Sequence, residues 1–413
     1  MSTSPSPGLL NQALLEKAIG EPIESYKTSP GSTPGDNVIG SLLSIAVTSK
    51  SGKKFNLIYK NIEPDSEQSQ FAIMCALFWL ENGLYKHVIP QLQSLVKETV
   101  WDPPTAKYYL SMNDDKMDYL IIDDLRPHGY TMEDKFRTYD FSQVSMVMKK
   151  IAQFHAMTHY LLVYKGEKVF EEPGMKIYLN NMWNSPNPMM EGFGAMLEAN
   201  IVHSITVLKE RNPEIAKALE QFFNLHKGER MKELLKTIRC KTDVKHFPCL
   251  VHGDLWMNNI LLKYDENKVI SDAKFIDFQM TRRGNIFEDL VYFFYCSTTP
   301  EFRKDHLAQC LMVYYEAFVS HLEKIGCPPV PNFTRGFFID SFYENMLAGH
   351  VFMYFAIPLQ LGVPIEVLKE KLNGDANAPA GNFDKTLVRL QHSPKAVDRL
   401  ESLVKEAIEM KLF

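Results

Sequence analysis

The chain is predicted to be an α+β protein of two lobes, β-rich early and helix-rich late. Three observations point there. Its 413 residues are enough for a large core and more than one compact body. Short strand-like apolar runs fall between Val38 and Ile122, and one further pair lies between Ile260 and Asp277. From Phe141 onward most apolar residues recur at helical spacing.

Composition narrows the class. Apolar residues at 45% and charged residues at 23% are ordinary for a soluble globular protein, and the net charge of −5 leaves no electrostatic footprint for nucleic acid. The N-terminal MSTSPSPGLLNQALLEKAIG lacks the basic start and long apolar core of a signal peptide. The longest uncharged stretch, around Val351–Val363, is interrupted by Pro358 and Pro364 and is too short to span a bilayer. A cytoplasmic monomer with no membrane partner is expected. The six cysteines (75, 240, 249, 296, 310 and 327) form no CxxC pair, and most sit among apolar neighbours, so reduced core thiols are expected.

Taken in order, residues 1–8 are rich in Ser and Pro and are expected to be disordered. Leu9–Ile19 has helical spacing and stops at Gly20. Ser29–Asn37 is turn-rich. Val38–Val47 and Lys54–Lys60 read as strands joined by a turn at Ser49–Gly52, and the second ends in Lys60. A lysine ending a strand is ordinarily a solvated edge residue. The following helix, Asp65–Tyr85, carries an apolar stripe (Phe71, Met74, Cys75, Phe78), and Glu81 continues the i, i+3 row from Phe78. A glutamate facing the core needs a cationic partner, and Lys60 is the candidate, although Glu81 at the core boundary is the alternative.

Lys107–Ser111 and Asp118–Ile122 read as two more strands around a turn at Met112–Lys116. The second runs into Asp123-Asp124-Leu125-Arg126-Pro127-His128-Gly129, a strand-to-helix connection able to offer backbone groups to an adenine edge. Phe141–Tyr160 is a helix with His155 on its apolar face, where a hydrogen-bonded core histidine is the ordinary reading. Residues 165–245 are mainly helical, with Val202–Lys209 and Pro213–Leu225 the clearest segments and an irregular stretch, Asn180–Met190, around Trp183. Ile286–Cys296 is apolar almost all round and therefore a buried helix. Its central Asp289 must find donors, and the backbone N–H groups near Asp254 are the expected source. Further helices are expected at Lys304–Lys324, Arg335–Ile357, Ile365–Leu372 and Ala396–Leu412. Within them, FFIDSFYENMLAGHVFMYF (337–355) suits an apolar acceptor but is more ordinarily helix core.

The chemistry concentrates in Leu250–Phe278, LVHGDLWMNNILLKYDENKVISDAKFIDF. Ile260–Leu262 and Ala273–Ile276 flank a polar turn at Asp265–Lys268. A hairpin centred there sets Asn259 and Asp277 side by side at its open end, with Asp254 on the entering loop. Two carboxylates and an amide oxygen at one strand end make a hard-oxygen site suited to Mg²⁺. Phosphoryl transfer needs a positioned hydroxyl, a metal and a grip on the nucleotide phosphates. Asp254 is placed to deprotonate an acceptor, Asn259 and Asp277 to bind the metal, Lys60 to hold phosphates and Glu81 to hold Lys60. A capping Asp254 and a strand-ending Asp277 are the bland alternatives.

HGDLWMNNI followed by KFIDFQ resembles the H-[GR]-D-x4-N and I-D-F motifs of the protein-kinase-like superfamily, in its aminoglycoside phosphotransferase and choline kinase branch. Trp256 and Gln279 make the stretch most similar to the ecdysteroid kinase-like family (also written EcKinase or CHK kinase-like). IYK at 58–60, Glu81 before Leu84-Tyr85, IIDDL at 121–125 and IAQFHA at 151–156 agree in order, over roughly residues 35–360. The resemblance implies a small N-terminal lobe with an antiparallel sheet and a larger helical lobe: an extension at 1–34, a nucleotide-binding lobe at 35–125, and 126–413 with the catalytic loop. It implies Asp254 as catalytic base, Asn259 and Asp277 as Mg²⁺ ligands, and Lys60 and Glu81 at the ATP phosphates. It further implies Ile122, Asp123 and Asp124 in the adenine hinge, and His252 as a structural histidine.

Three departures qualify it. No G-x-G-x-x-G is present, and only Gly31, Gly35 and Gly40 lie near the first strand pair. Gln279 stands where a DFG-type switch has glycine. The stretch before Asp289 is too short for a protein-kinase activation segment, which favours a small-molecule hydroxyl acceptor over a protein. The family resemblance implies that this acceptor is an ecdysteroid, a related steroid or a foreign compound. The alternatives are a choline- or ethanolamine-kinase-like enzyme and a pseudokinase scaffold.

Overall fold

The structure, a computed structural model, describes residues 10–31, 41–62, 76–97, 100–114, 117–166, 168–169, 174–179, 188–239, 247–363 and 382–413. Expectations for residues 1–8, Gly35, Gly40, Phe71, Met74, Cys75, Trp183, Cys240 and Ile365–Leu372 lie outside them. The chain forms two compact units, each discontinuous in sequence. The first comprises Met1–Met132, Lys165–Leu179 and Asn259–Arg282; the second comprises Glu133–Tyr164, Asn180–Asn258 and Arg283–Phe413.

In the first unit, helix α1 (Gln12–Ile19) begins where the Asn11 side chain accepts the Leu14 N–H and ends at Gly20 with φ 76°. Strands β1 (Ile23–Pro30), β2 (Ser41–Ser49), β3 (Lys54–Asn61), β4 (Tyr108–Asp114) and β5 (Met117–Asp123) form an antiparallel sheet in the order β1-β2-β3-β5-β4. Strand β1 was not expected: only Ile23 in it is buried, so an edge strand here lacks apolar alternation. The expected turn at Met112–Lys116 is narrower, because pairing continues through Asp114 opposite Met117. Leu15, Ile45, Val47, Leu57, Tyr59, Tyr119 and Ile121 close a core on one face. Since strand side chains alternate, Lys60, next to Tyr59, points to the opposite face.

The helix bearing Glu81 is α2 (Leu77–Gly83). It continues as a π-helical turn, Leu84–Val88, into α3 (Ile89–Ser94), past the expected end at Tyr85. Pro90 is tolerated because it stands in the first turn of α3. Strands β6 (Tyr130–Met132), β8 (Ile260–Tyr264) and β9 (Ile270–Phe275) form a second antiparallel sheet, β6-β8-β9. The hairpin tip is stitched by Asp265, which accepts the Asn267 and Val269 N–H groups at 2.9 and 2.8 Å.

The second unit is mainly helical, completing the α+β fold. Its helices are α4 (Phe141–Tyr164), α5 (Pro188–Arg211), α6 (Pro213–His226), α7 (Glu229–Arg239), α8 (Ile286–Ser297), α9 (Pro300–Lys324), α10 (Arg335–Leu361), α11 (Asn382–Gln391) and α12 (Pro394–Glu409). Strand β7 (Pro248–Val251) pairs with β10 (Arg282–Asn285). Helix α8 starts with a capping box, in which Asn285 accepts the Phe287 N–H at 3.0 Å and Glu288 accepts the Asn285 N–H at 3.1 Å. A buried pair, Arg303 Nε to Glu406 at 2.8 Å, ties α9 to α12. Among the described residues no helix is long and apolar enough to cross a membrane, and Cys249, Cys296, Cys310 and Cys327 are not in disulfides.

Candidate active site

Sheet register sets the candidate residues of the first unit. Lys60 pairs with Leu42 on one side and Leu120 on the other, so it lies in the middle strand of five, and it is 8% exposed. It is therefore not a solvated edge residue. An ammonium buried there needs anions, and two are present. Lys60 Nζ donates to Glu81 at 2.6 Å and to the Asp277 carboxylate. Burial alone lowers the lysine pKa, but the Asp277 and Glu81 carboxylates outweigh it and the net shift is upward. For Glu81, burial and the nearby Asp277 charge raise the carboxyl pKa, and Lys60 opposes them. Glu81 also takes the Phe278 backbone N–H, so it holds both the lysine and the turn after Asp277.

The expected hairpin is present, with its register displaced by one residue. Ile260 pairs with Phe275, and the Ile276 N–H donates to the Asn259 carbonyl at 3.0 Å, so Asn259 stands opposite Ile276 instead of Asp277. Asp277 follows in the left-handed region, φ 64° and ψ 58°, at the head of a short 3-10 turn. This conformation is uncommon for a residue with a side chain, though Asp tolerates it best with Asn, and it re-aims the carboxylate away from the strand direction. Gln279 Nε2 donates to the second oxygen of Asp277 at 3.1 Å. Beneath, Phe278 is buried and meets Tyr85 edge-on at 6.2 Å.

The hinge candidates sit at the end of β5. Ile122 pairs with Ile58 and Tyr108. The Asp123 and Asp124 N–H groups donate to the Lys107 and Asn56 carbonyls at 2.8 and 2.9 Å. Their side chains are engaged with His128 at 2.8 Å and Arg126 at 2.7 Å. An adenine edge at this segment would have to be met by backbone groups other than these two N–H donors. Among the described residues no group of three or more His, Cys, Asp or Glu side chains is arranged to hold a metal.

The second unit carries Asp254. Strand β7 delivers His252 and Gly253, whose N–H groups donate to the Asp289 carboxylate at 2.6 and 2.9 Å. Asp289, expected to find donors in this loop, also receives His155 Nε2 at 3.0 Å. A carboxylate only accepts, so Nε2 carries the proton and Nδ1 takes the Tyr314 hydroxyl at 2.8 Å. Burial works to raise the Asp289 pKa, but these donors prevail and it is lowered. His155 is thus the hydrogen-bonded core histidine expected. Gly253 bends the loop at φ 84°. Asp254 itself accepts the Tyr292 hydroxyl at 2.7 Å, and Gln360 Nε2 donates to that hydroxyl at 3.0 Å. Burial, followed by the Asp254 charge, raises the Tyr292 pKa well above its ordinary value.

Tyr292 and Gln360 were not singled out from the sequence. A signal exists for the first: Asp289 and Tyr292 are three apart on α8, so they share a face. None exists for Gln360, which lies 68 residues further on.

Solved structures with matching chain traces include wild-type aminoglycoside 2'-phosphotransferase-IIIa in its GDP complex (12% identity, 96% of this chain and 99% of that one, TM-score 0.41). Amicoumacin kinase with AMP-PNP, Ca²⁺ and its ligand matches at 13% identity, 95% and 93% coverage and TM-score 0.41. An aminoglycoside phosphotransferase from Streptomyces rimosus with ADP and streptomycin matches at 13% identity, 82% and 97% coverage and TM-score 0.33. No sequence match is found among curated proteins. The sequence profile of the ecdysteroid kinase-like family matches residues 34–327, more than two thirds of the chain, including both the HGDLW and the IDFQ stretches. The chain belongs to the ecdysteroid kinase-like family.

Proposed function

We propose that the protein is a cytoplasmic, monomeric, ATP-dependent kinase that transfers the γ-phosphoryl group to a hydroxyl of a small molecule, an ecdysteroid, a related steroid or a foreign alcohol. One observation carries this reading: a buried lysine held between two carboxylates of unequal exposure. The Glu81 side chain is 2% exposed and can serve only as an anchor, whereas that of Asp277 is 28% exposed and is reachable by a metal–nucleotide complex. In this reading Lys60 turns from Asp277 to the nucleotide phosphates while Glu81 keeps it aligned.

Asp277 and Asn259 offer two hard oxygens, a donor set that would suit Mg²⁺ brought in with a nucleotide. Asp277 and Asn259 would hold the ion, which would supply charge neutralisation for phosphoryl transfer. Asp254 accepts the proton of the acceptor hydroxyl as the oxygen attacks, and Tyr292 and Gln360 fix the carboxylate for that task. The hinge role falls to the Ile122–Asp124 segment.

The acceptor class draws support from the surroundings of Asp254. Tyr292 meets Phe352 edge-on at 5.4 Å, Phe352 stacks on Phe193 at 5.6 Å, and Phe193 meets Phe355 at 4.9 Å. This aromatic cluster beside the base is the feature that supports an apolar alcohol. The deciding experiment is an ATP-consumption screen against steroids, choline analogues and plant or drug alcohols. Turnover of apolar alcohols that Asp254→Asn abolishes is expected. Turnover of choline analogues alone would transfer the assignment to a choline-kinase-like enzyme, and nucleotide binding without any turnover would favour a scaffold.

A further inference from the structure

The first unit contains a cleft that none of the roles above uses. It has a volume of about 300 Å³ and lies between the Trp79–His87 stretch, strand β4 and the Gly174–Ile177 segment. Its walls are built to stay open and close together at once. Gly83 faces the Tyr178 hydroxyl so closely that an added Cβ would stand 2.7 Å from it, and that hydroxyl donates to the Leu80 carbonyl at 2.7 Å. Gly174, at φ +85°, faces the His87 ring, 2.4 Å from where a Cβ would sit. No side chain larger than hydrogen fits at either place.

Among the described residues the lining carries two cations, Lys86 and Lys176, and no carboxylate. Lys86 and Lys176 are both exposed at its mouth. Ser111 and Asn113 add hydrogen-bonding groups from β4. Trp79 is 51% exposed, which leaves a large indole against water beside these cations. Lys86 and His87 reach this place through the π-helical turn Leu84–Val88, a rare geometry that in proteins generally clusters at functional positions.

We propose that this cleft binds a small planar aromatic anion, its ring against Trp79 and its anionic group between Lys86 and Lys176. The three features required are independent of phosphoryl transfer: a flat apolar surface, a pair of lysines and a concavity sized for about two fused rings. Charge complementarity selects the anion over a neutral ring, and the indole selects an aryl group over inorganic phosphate.

Isothermal titration of the full chain with naphthalene-1-sulfonate tests this, with naphthalene-1-sulfonamide as the neutral counterpart. Saturable one-site binding of the sulfonate is expected, with the sulfonamide at least tenfold weaker. Trp79→Ala and, separately, Lys86→Gln/Lys176→Gln should each weaken the sulfonate at least tenfold. All three side chains are exposed, so unchanged melting curves establish that the variants are folded. Equal affinity for sulfonate and sulfonamide overturns the proposal, as does parent-like binding by either folded variant. Absence of saturable binding to the parent overturns it as well.

Discussion

Replacing Lys60 by methionine keeps the volume of the side chain and removes the only charge that separates Glu81 from Asp277 in the observed cluster. Glu81 is 2% exposed, so its carboxylate would be left in a low-dielectric site with the Phe278 N–H as its remaining donor. Removing one partner of a buried ion pair costs about 3–5 kcal/mol, chiefly the cost of the orphaned charge. Asp277 contributes less because it reaches solvent. Chemical denaturation of Lys60→Met should therefore show a loss of that order. Lys60→Met/Glu81→Met, which removes the orphan together with the cation, should recover at least half of it. This pair of measurements separates a buried ion pair from a loosely solvated one. A Lys60→Met protein within about 0.5 kcal/mol of the parent would refute the reasoning, and so would a double variant that loses the sum of the two single losses.

Four further outcomes are expected. Asp254→Asn should lower kcat by a factor of about 10²–10⁴ or more while nucleotide binding, followed calorimetrically, persists; comparable turnover would remove Asp254 from the base role. Asp277→Ala should weaken Mg²⁺-dependent nucleotide binding, and an unchanged affinity would exclude it as a ligand. Tyr292→Phe deletes the hydroxyl on Asp254, so kcat should fall about tenfold with an altered acid limb of the pH–rate profile and little change in melting; an unchanged profile would mean that Tyr292 only packs. Burial depresses the His321 pKa to about 4, and its Nε2 is buried without a hydrogen bond. The unfolded chain then binds a proton below pH 6.5 that the folded chain refuses until about pH 4, so stability falls as pH drops through that window. His321→Asn should flatten this slope, and an unchanged slope would exonerate the residue.

The legible parts of the site were those where chemistry and short-range spacing coincide. Asp254, Asn259 and Asp277 lie within one stretch of 24 residues, and hairpin symmetry about the Asp265–Lys268 turn was enough to bring two of them to one strand end. The one-residue displacement was not legible, because it depends on how the ladder shifts between Lys263 and Tyr264. Nor was the left-handed backbone of Asp277. The Asp289 donors could be foreseen, since a central charge in an otherwise apolar helix must be satisfied and an adjacent loop with free amides was near at hand. Strand β1 escaped notice because its exposed residues leave no periodic pattern.

Lys60 draws the line most clearly. The sequence by itself determined the inventory: a strand ending in lysine, a core-facing glutamate, a D-x4-N followed by IDFQ, and a β-early, helix-late order. It could not tell an edge lysine from a central one, because strand order is set by pairings between segments as far apart as Leu57 and Asp123. Tertiary structure decided that Lys60 lies in the middle strand, that Asp277 joins Glu81 on its ammonium, and that Tyr292 and Gln360 hold Asp254. The physical reason is common to all three. Periodicity along the chain reports which face a side chain uses, whereas its partner depends on which distant segment the fold lays against that face.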